Sequence, residues 1–277
     1  MKLYRTAKGP LAEQEGQFYR IGQGWDDVVN DDDLHRKLKD LLRTAPPEPN
    51  GREILTRFLL PPIQGQELWA SGVTYLRSKV GRQEEAAEAG GGDFYQRVYE
   101  ADRPELFFKA NAARVSGSGQ AVRIRRDSTW DVPEPELTLM VTAGKKIVAY
   151  TIGNDMSSRS IEGENPLYLP QAKTYDGCAA LGPGLLVSAD PLPPETEISL
   201  VIGRNNKAVF EGRVKISQIK RRLEDLVEYL FRECSFPNGC LLMTGTGIVP
   251  ERGFTLLKGD TISITIDPIG TLVNRVD

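Results

Sequence analysis

Three carboxylates are spaced as a hard cation would need them. Glu134 and Glu136 lie one residue apart in the stretch WDVPEPELTLMVTAGKKIVAYTIGND, which runs from Trp130 to Asp155, and Asp155 closes it. The alternation of Leu137, Leu139 and Val141 marks a strand, on which Glu134 and Glu136 share one side. Two anions aimed at one point repel, so the pattern suits a bound cation. Oxygen donors with no cysteine or histidine nearby fit Mg²⁺, with Mn²⁺ or Ca²⁺ as alternatives, better than zinc. The competing reading makes the two glutamates a solvated strand face and Asp155 a cap for the next segment.

The elements that must hold these residues are legible in the same stretch. Pro135 removes a backbone donor, which predicts an edge or bulged strand. Ala143-Gly144-Lys145-Lys146 reads as a turn and Ile147 to Ile152 as the return strand, so a hairpin delivers Asp155 to the glutamates.

The chain of 277 residues is long enough for a full core, and 40% apolar with 26% charged residues is ordinary for a globular protein. With 35 basic against 38 acidic residues the net charge is −3, and the basic clusters Arg123-Ile124-Arg125-Arg126 and Lys220-Arg221-Arg222 are short. Nucleic acid is therefore not an expected partner. Cys178, Cys234 and Cys240 have neither metal-ligand spacing nor an even count, which predicts a reducing compartment. No apolar window is long enough for a membrane span and the N-terminus has no leader-like apolar run, so a cytoplasmic protein is expected. His35, the one histidine, falls among charged neighbours on a helix and is expected to be structural.

Residues 1–66 read as a small N-terminal α/β domain. Leu3-Tyr4 and Phe18 to Ile21 are strand-like; Leu34, Leu38, Leu41 and Leu42 form a helical stripe that Asp31 or Asp32 could cap. The proline- and glycine-punctuated LLPPIQGQ, from Leu59 to Gln66, reads as a linker. From 67 to 277 the chain is mostly strands. Gly90-Gly91-Gly92 mark a break before a short helix with Phe94, Tyr95, Val98 and Tyr99 on its apolar side. A second helical stripe runs over Ile219, Leu223, Leu226, Val227 and Leu230. The fold class expected is α+β, mostly β.

The larger part resembles the fumarylacetoacetate hydrolase superfamily. The resemblance rests on motifs in order from about residue 68: Gly72-Val73-Thr74-Tyr75, Glu105 with Phe107-Phe108-Lys109, Glu134-Pro135-Glu136, Tyr150 to Asp155, Lys173 with Asp176, Leu181-Gly182-Pro183, Thr244-Gly245-Thr246, Lys258-Gly259-Asp260 and Ile269 to Leu272. It implies a mixed β-roll, a divalent metal, usually Mg²⁺, on Glu134, Glu136 and Asp155, a 2-oxo acid chelating that metal, and assembly as a homodimer or homotetramer. Where hydrolases and decarboxylases of the family carry a histidine, this chain has Ser78 or its neighbours. The segment Asn165 to Lys173 and Ser71 to Tyr75 is similar instead to the 2-keto-3-deoxy-D-arabinonate dehydratase group.

That similarity implies catalysis by Glu105 and Lys173. Lys173 would be a base at C3 or an electrostatic clamp on substrate oxygen, and Glu105 an acid for the departing C4 hydroxyl. Substrate contacts are expected from Ser71, Thr74, Tyr75, Lys109, Tyr175, Thr244, Gly245 and Thr246. The expected reaction is dehydration of 2-keto-3-deoxy-arabinonate to the semialdehyde of 2-oxoglutarate; a C–C hydrolase or 2-oxo acid decarboxylase is the alternative. The plainer readings are a Lys173–Asp176 salt bridge, pairing of Glu105 with Arg103, and a glycine-rich turn at residues 244–247.

Overall fold

The computed structural model describes residues 1–78, 92–251 and 253–277, and the side chains of all of these but 92–95. Gly90, Gly91 and the side chains of Phe94 and Tyr95 lie outside the described residues.

The architecture is mostly β. The N-terminal strands are β1 (Lys2–Tyr4), β2 (Leu11–Gln14) and β3 (Gln17–Arg20), followed by helices at Trp25–Val29, Leu34–Leu42 and Gly51–Phe58. Then come β4 (Glu67–Gly72), the helix Gly92–Glu100, β5 (Glu105–Asn111), β6 (Val115–Ser116), β7 (Ala121–Val122), β8 (Asp131–Val132), β9 (Pro135–Val141), β10 (Ile147–Asp155) and β11 (Ser157–Ser158). Two short helices, Arg159–Glu164 and Leu169–Lys173, precede β12 (Ala179–Val187), β13 (Glu197–Arg204) and β14 (Lys207–Lys215). The helix Leu223–Leu230 leads to β15 (Cys240–Met243), β16 (Thr261–Ile266) and β17 (Gly270–Val276).

A ten-stranded sheet has the order β3-β2-β1-β12-β10-β9-β15-β4-β5, with β6 beside β12; a five-stranded sheet runs β14-β13-β16-β17-β7. The expected boundary near residue 66 falls at the start of β4, but β1 pairs antiparallel with β12, so the N-terminal strands extend the large sheet. Packing follows strand parity. Leu137, Leu139 and Val141 of β9 enter a cluster with Ile198, Leu200 and Ile262 of the smaller sheet; Met140, on the other face, packs with Leu68, Val29 and Leu38. Burial on both faces makes β9 a central strand, with neighbours β10 and β15.

This corrects the edge-strand expectation from Pro135. Proline opens the strand, and the pairing with β15 covers only Thr138 to Val141, so no β15 carbonyl stands where the missing N–H would point. The helix Leu34–Leu42 forms as its stripe predicts, but Asp33 occupies the cap position, while Asp31 Oδ1 accepts from the Asp33 N–H at 2.9 Å. The stretches around Val209 and Val214 are one continuous strand, β14. Among the described residues no helix is long and apolar enough to cross a membrane.

Candidate metal centre and adjoining cavity

The hairpin register assembles the acidic group. Glu134 and Asp155 face each other, Asn154 lies opposite Pro135 and Gly153 opposite Glu136. Period-two alternation therefore puts Glu134, Glu136 and Asp155 on one face at the end of the ladder. All three are buried, and one oxygen from each lies within 4.8 Å of the others. A solvated outer face is thereby excluded. Gly153 is required beneath them, because a Cβ there would come 2.4 Å from Thr138 Oγ1.

Three cations surround the triad. Lys173 Nζ, at the end of the helix Leu169–Lys173, donates to Glu134 Oε2 at 2.5 Å, Asp155 Oδ2 at 3.1 Å and Ser157 Oγ at 2.6 Å. Arg159 donates to Glu134 Oε1, and Lys109 Nζ lies 2.7 Å from Asp155 Oδ1. The alternative pairing of Lys173 with Asp176 is not made; Asp176 lies 3.9 Å from Arg114 and from Arg123. Local signals start both short helices: Ser158 Oγ accepts from the Ile161 N–H, and Pro170 stands in the first turn of the second.

Glu136 takes its fixed contact from the glycine-rich turn, as Gly245 N donates to Glu136 Oε2 at 2.5 Å. Burial first, then Asp155 and Glu134, push the Glu136 carboxyl well above the usual range; Lys173 and the Gly245 N–H oppose the shift. A cavity of like charges is costly without a cation. The donor set is all oxygen, which fits Mg²⁺, Mn²⁺ or Ca²⁺ and not zinc.

The other expected site residues divide into two groups. Glu105 opens β5 and lines a cavity of about 650 Å³ with Glu162, Arg97, Arg103 and Leu167. Gly72 makes room for it, since a Cβ there would lie 1.9 Å from Glu105 Oε2. Ser71 Oγ donates to the Glu105 carbonyl at 3.0 Å. Tyr75 is buried, and burial followed by the Glu136 charge raises its hydroxyl.

The second group braces the backbone. Thr74 Oγ1 donates to Thr244 O, Thr244 Oγ1 to Leu137 O and Thr246 Oγ1 to Ile248 O. Lys109, expected among substrate contacts, is fully buried and donates to the carbonyls of Met156 and Lys173 as well as approaching Asp155. The Tyr175 ring lies 5.8 Å from Lys109 Nζ and 5.6 Å from the Arg125 guanidinium, and burial pushes its hydroxyl up. Ser78, which with its neighbours is expected at the place of the family's histidine, donates to Tyr75 O at 2.8 Å.

Sequence reasoning missed Ser157, Arg159 and Glu162. Glu162 lies 4.0 Å from Lys173 Nζ and 3.9 Å from Arg159 Nε. The i,i+3 spacing of Arg159 and Glu162 was the available signal.

Comparison with known proteins decides the family: residues 74–277 match the model of the fumarylacetoacetate (FAA) hydrolase C-terminal domain. The chain belongs to the fumarylacetoacetate hydrolase family. A probable 2-keto-3-deoxyxylonate dehydratase from Haloferax volcanii is 47% identical over 79% of this chain and 75% of its own. The 2-dehydro-3-deoxy-D-arabinonate dehydratase of Saccharolobus solfataricus is 44% identical over 78% and 73% respectively. A solved 2-keto-3-deoxy-D-arabinonate dehydratase, complexed with magnesium and 2,5-dioxopentanoate, superposes with a TM-score of 0.85 at 34% identity, covering 100% of this chain and 99% of that one.

Proposed function

We propose that this protein is a Mg²⁺-dependent hydro-lyase that dehydrates 2-keto-3-deoxy sugar acids, with 2-keto-3-deoxy-arabinonate going to 2,5-dioxopentanoate, the semialdehyde of 2-oxoglutarate. The observation that carries the reading is Lys173, whose Nζ bonds the all-oxygen triad and lies 4.0 Å from Glu162, a carboxyl that lines one cavity with Glu105. The names of the two relatives above 40% identity and the product in the similar solved structure support it.

When bound on Glu134, Glu136 and Asp155, the cation supplies Lewis-acid polarisation to a chelated 2-oxo acid. Lys173 Nζ, left as a neutral amine by its burial and by the charge of a cation on the triad, takes the C3 proton. Glu105 gives a proton to the C4 hydroxyl, the C4–O bond breaks and water leaves, with C3=C4 formed. Glu105, now a carboxylate, takes a proton from C5 while Lys173 returns one to C3; the resulting enol becomes the aldehyde by proton transfer to C4.

C–C hydrolysis needs a water activator, and among the described residues the Ser78 hydroxyl is engaged by the Tyr75 carbonyl. Incubating Mg²⁺-loaded protein with the D and L forms of 2-keto-3-deoxypentonate and 2-keto-3-deoxyhexonate tests the reading. An aldehyde product from a pentonate supports it; pyruvate or CO₂ release, or no product from any of the four, sinks it. Assembly as a homodimer or homotetramer is part of the same family reading, and light scattering on the eluting peak of a sizing column measures it.

A further inference from the structure

The proton steps above use Lys173 and Glu105 and leave one buried carboxylate of the cavity without a task. Glu162 is 2% exposed, yet it shares the cavity wall with Glu105. Its flanking cations, Lys173 at 4.0 Å and Arg159 at 3.9 Å, are the same two that grip Glu134. Beside these two basic side chains its carboxyl oxygens offer the cavity hydrogen-bond acceptors. Beside Arg97, Arg103 and Asn165 the rest of the wall is apolar: Val98, Ala101, Pro104, Pro166, Leu167 and Leu169.

We infer that Glu162 is the specificity-determining residue of the cavity, accepting a hydrogen bond from the hydroxyl at the far end of a hydroxylated 2-oxo acid chain. An apolar wall alone would welcome a deoxy chain as readily as a hydroxylated one. A carboxylate in that wall does not, because a methyl group brought against it removes solvent and offers no donor. The position follows from the anchoring: a cation on the triad would hold the carboxylate and keto end, Lys173 stands at the next carbon, and Glu162 lies beyond Lys173. The inference rests on the 2-oxo acid reading of the site.

Calorimetric titration of the Mg²⁺-loaded protein with 2-oxopentanoate and with 5-hydroxy-2-oxopentanoate tests it. Neither compound carries a leaving group at C4, so affinity is read without turnover. The wild type should prefer the hydroxylated acid by about 10- to 100-fold, the range for a hydrogen bond to a charged group. Glu162→Gln, which keeps the volume, should narrow the preference, and Glu162→Ala should bring the two acids within about 3-fold of each other, the scale of a contact without charge assistance. Taking the ratio within each variant cancels any loss of affinity that a purely structural role would impose on both ligands. A ratio unchanged in both variants, or a wild type that does not discriminate, overturns the inference while leaving the 2-oxo acid platform standing. A wild type that binds neither acid overturns both. Discrimination by Glu162 without dehydration of any sugar acid supports the inference and rejects the lyase reaction.

Discussion

Glu134 and Asp155 are a directly paired couple on the β9–β10 ladder: Glu134 N donates to Asp155 O at 3.2 Å and Asp155 N donates to Glu134 O at 2.9 Å. Their side chains leave the same face of a hairpin buried on both sides, so the spacing of the two carboxylates is set by the backbone rather than by loop conformation. Glu136, two residues along the strand, inherits the same precision. The burial that fixes the three anions makes their charge balance, with Lys173, Arg159 and Lys109, part of the stability of the fold.

Mg²⁺ bound by the triad should raise the melting temperature, by an amount that grows with the logarithm of its free concentration above Kd. At a free concentration of 100 Kd the linkage is about 2.7 kcal/mol. Asp155→Asn should flatten the response in a thermal shift titration. An undiminished shift in that variant would place the cation elsewhere.

Lys173→Met should lower kcat by about 10²- to 10⁴-fold, the range for loss of a positioned proton-transfer group. Without metal the variant leaves Glu134 and Asp155 short of a buried cation and should melt earlier than wild type; saturating Mg²⁺ should recover most of that loss. Normal turnover in a stably folded Lys173→Met protein would remove Lys173 from the chemistry.

Gly72→Ala probes the seat of Glu105. The added Cβ would meet Glu105 Oε2 at 1.9 Å, so the carboxyl must move. A displacement of about 1 Å costs on the order of 10²-fold in rate. Steady-state kinetics should show the loss in kcat, while the Mg²⁺-induced thermal shift stays as in wild type.

Asp131 gives a pH signature away from the metal ligands. Burial pushes its carboxyl up to about 6 from 3.8, against the hydrogen bond from Ser128. A raised carboxyl favours the protonated form in the folded state, so its contribution is fully present below about pH 4 and is lost as pH rises through 6. Asp131→Asn should then be more stable than wild type at pH 8, by about 2–3 kcal/mol, with the advantage gone at pH 4. Urea unfolding at the two pH values measures it, and an equal change at both would contradict it.

The triad was legible because strand alternation and a hairpin turn are short-range signals, and the ordered motifs from Gly72 onward carried the family. Glu162 was not, since RSIEGE reads as a short polar segment and only packing against Lys173 and Arg159 buries it. The motif put Lys109 near the site, and its ammonium does lie against Asp155; the two carbonyls it also bonds are set by tertiary packing and have no local signal. Pro135 suggested an edge because proline cannot donate, but the register places it past the end of β15. The join of β1 to β12 depends on residues 186 and 2 meeting, which no local pattern announces.

Proton NMR of 2-keto-3-deoxy-arabinonate incubated with the Mg²⁺-loaded protein in D₂O reads the central claim most directly. Removal of the C3 proton and loss of the C4 hydroxyl should yield 2,5-dioxopentanoate that retains one proton on the aldehyde carbon and carries deuterium at C4. A pyruvate methyl signal, a product shortened by CO₂, or unchanged substrate with no deuterium at C3 would contradict it.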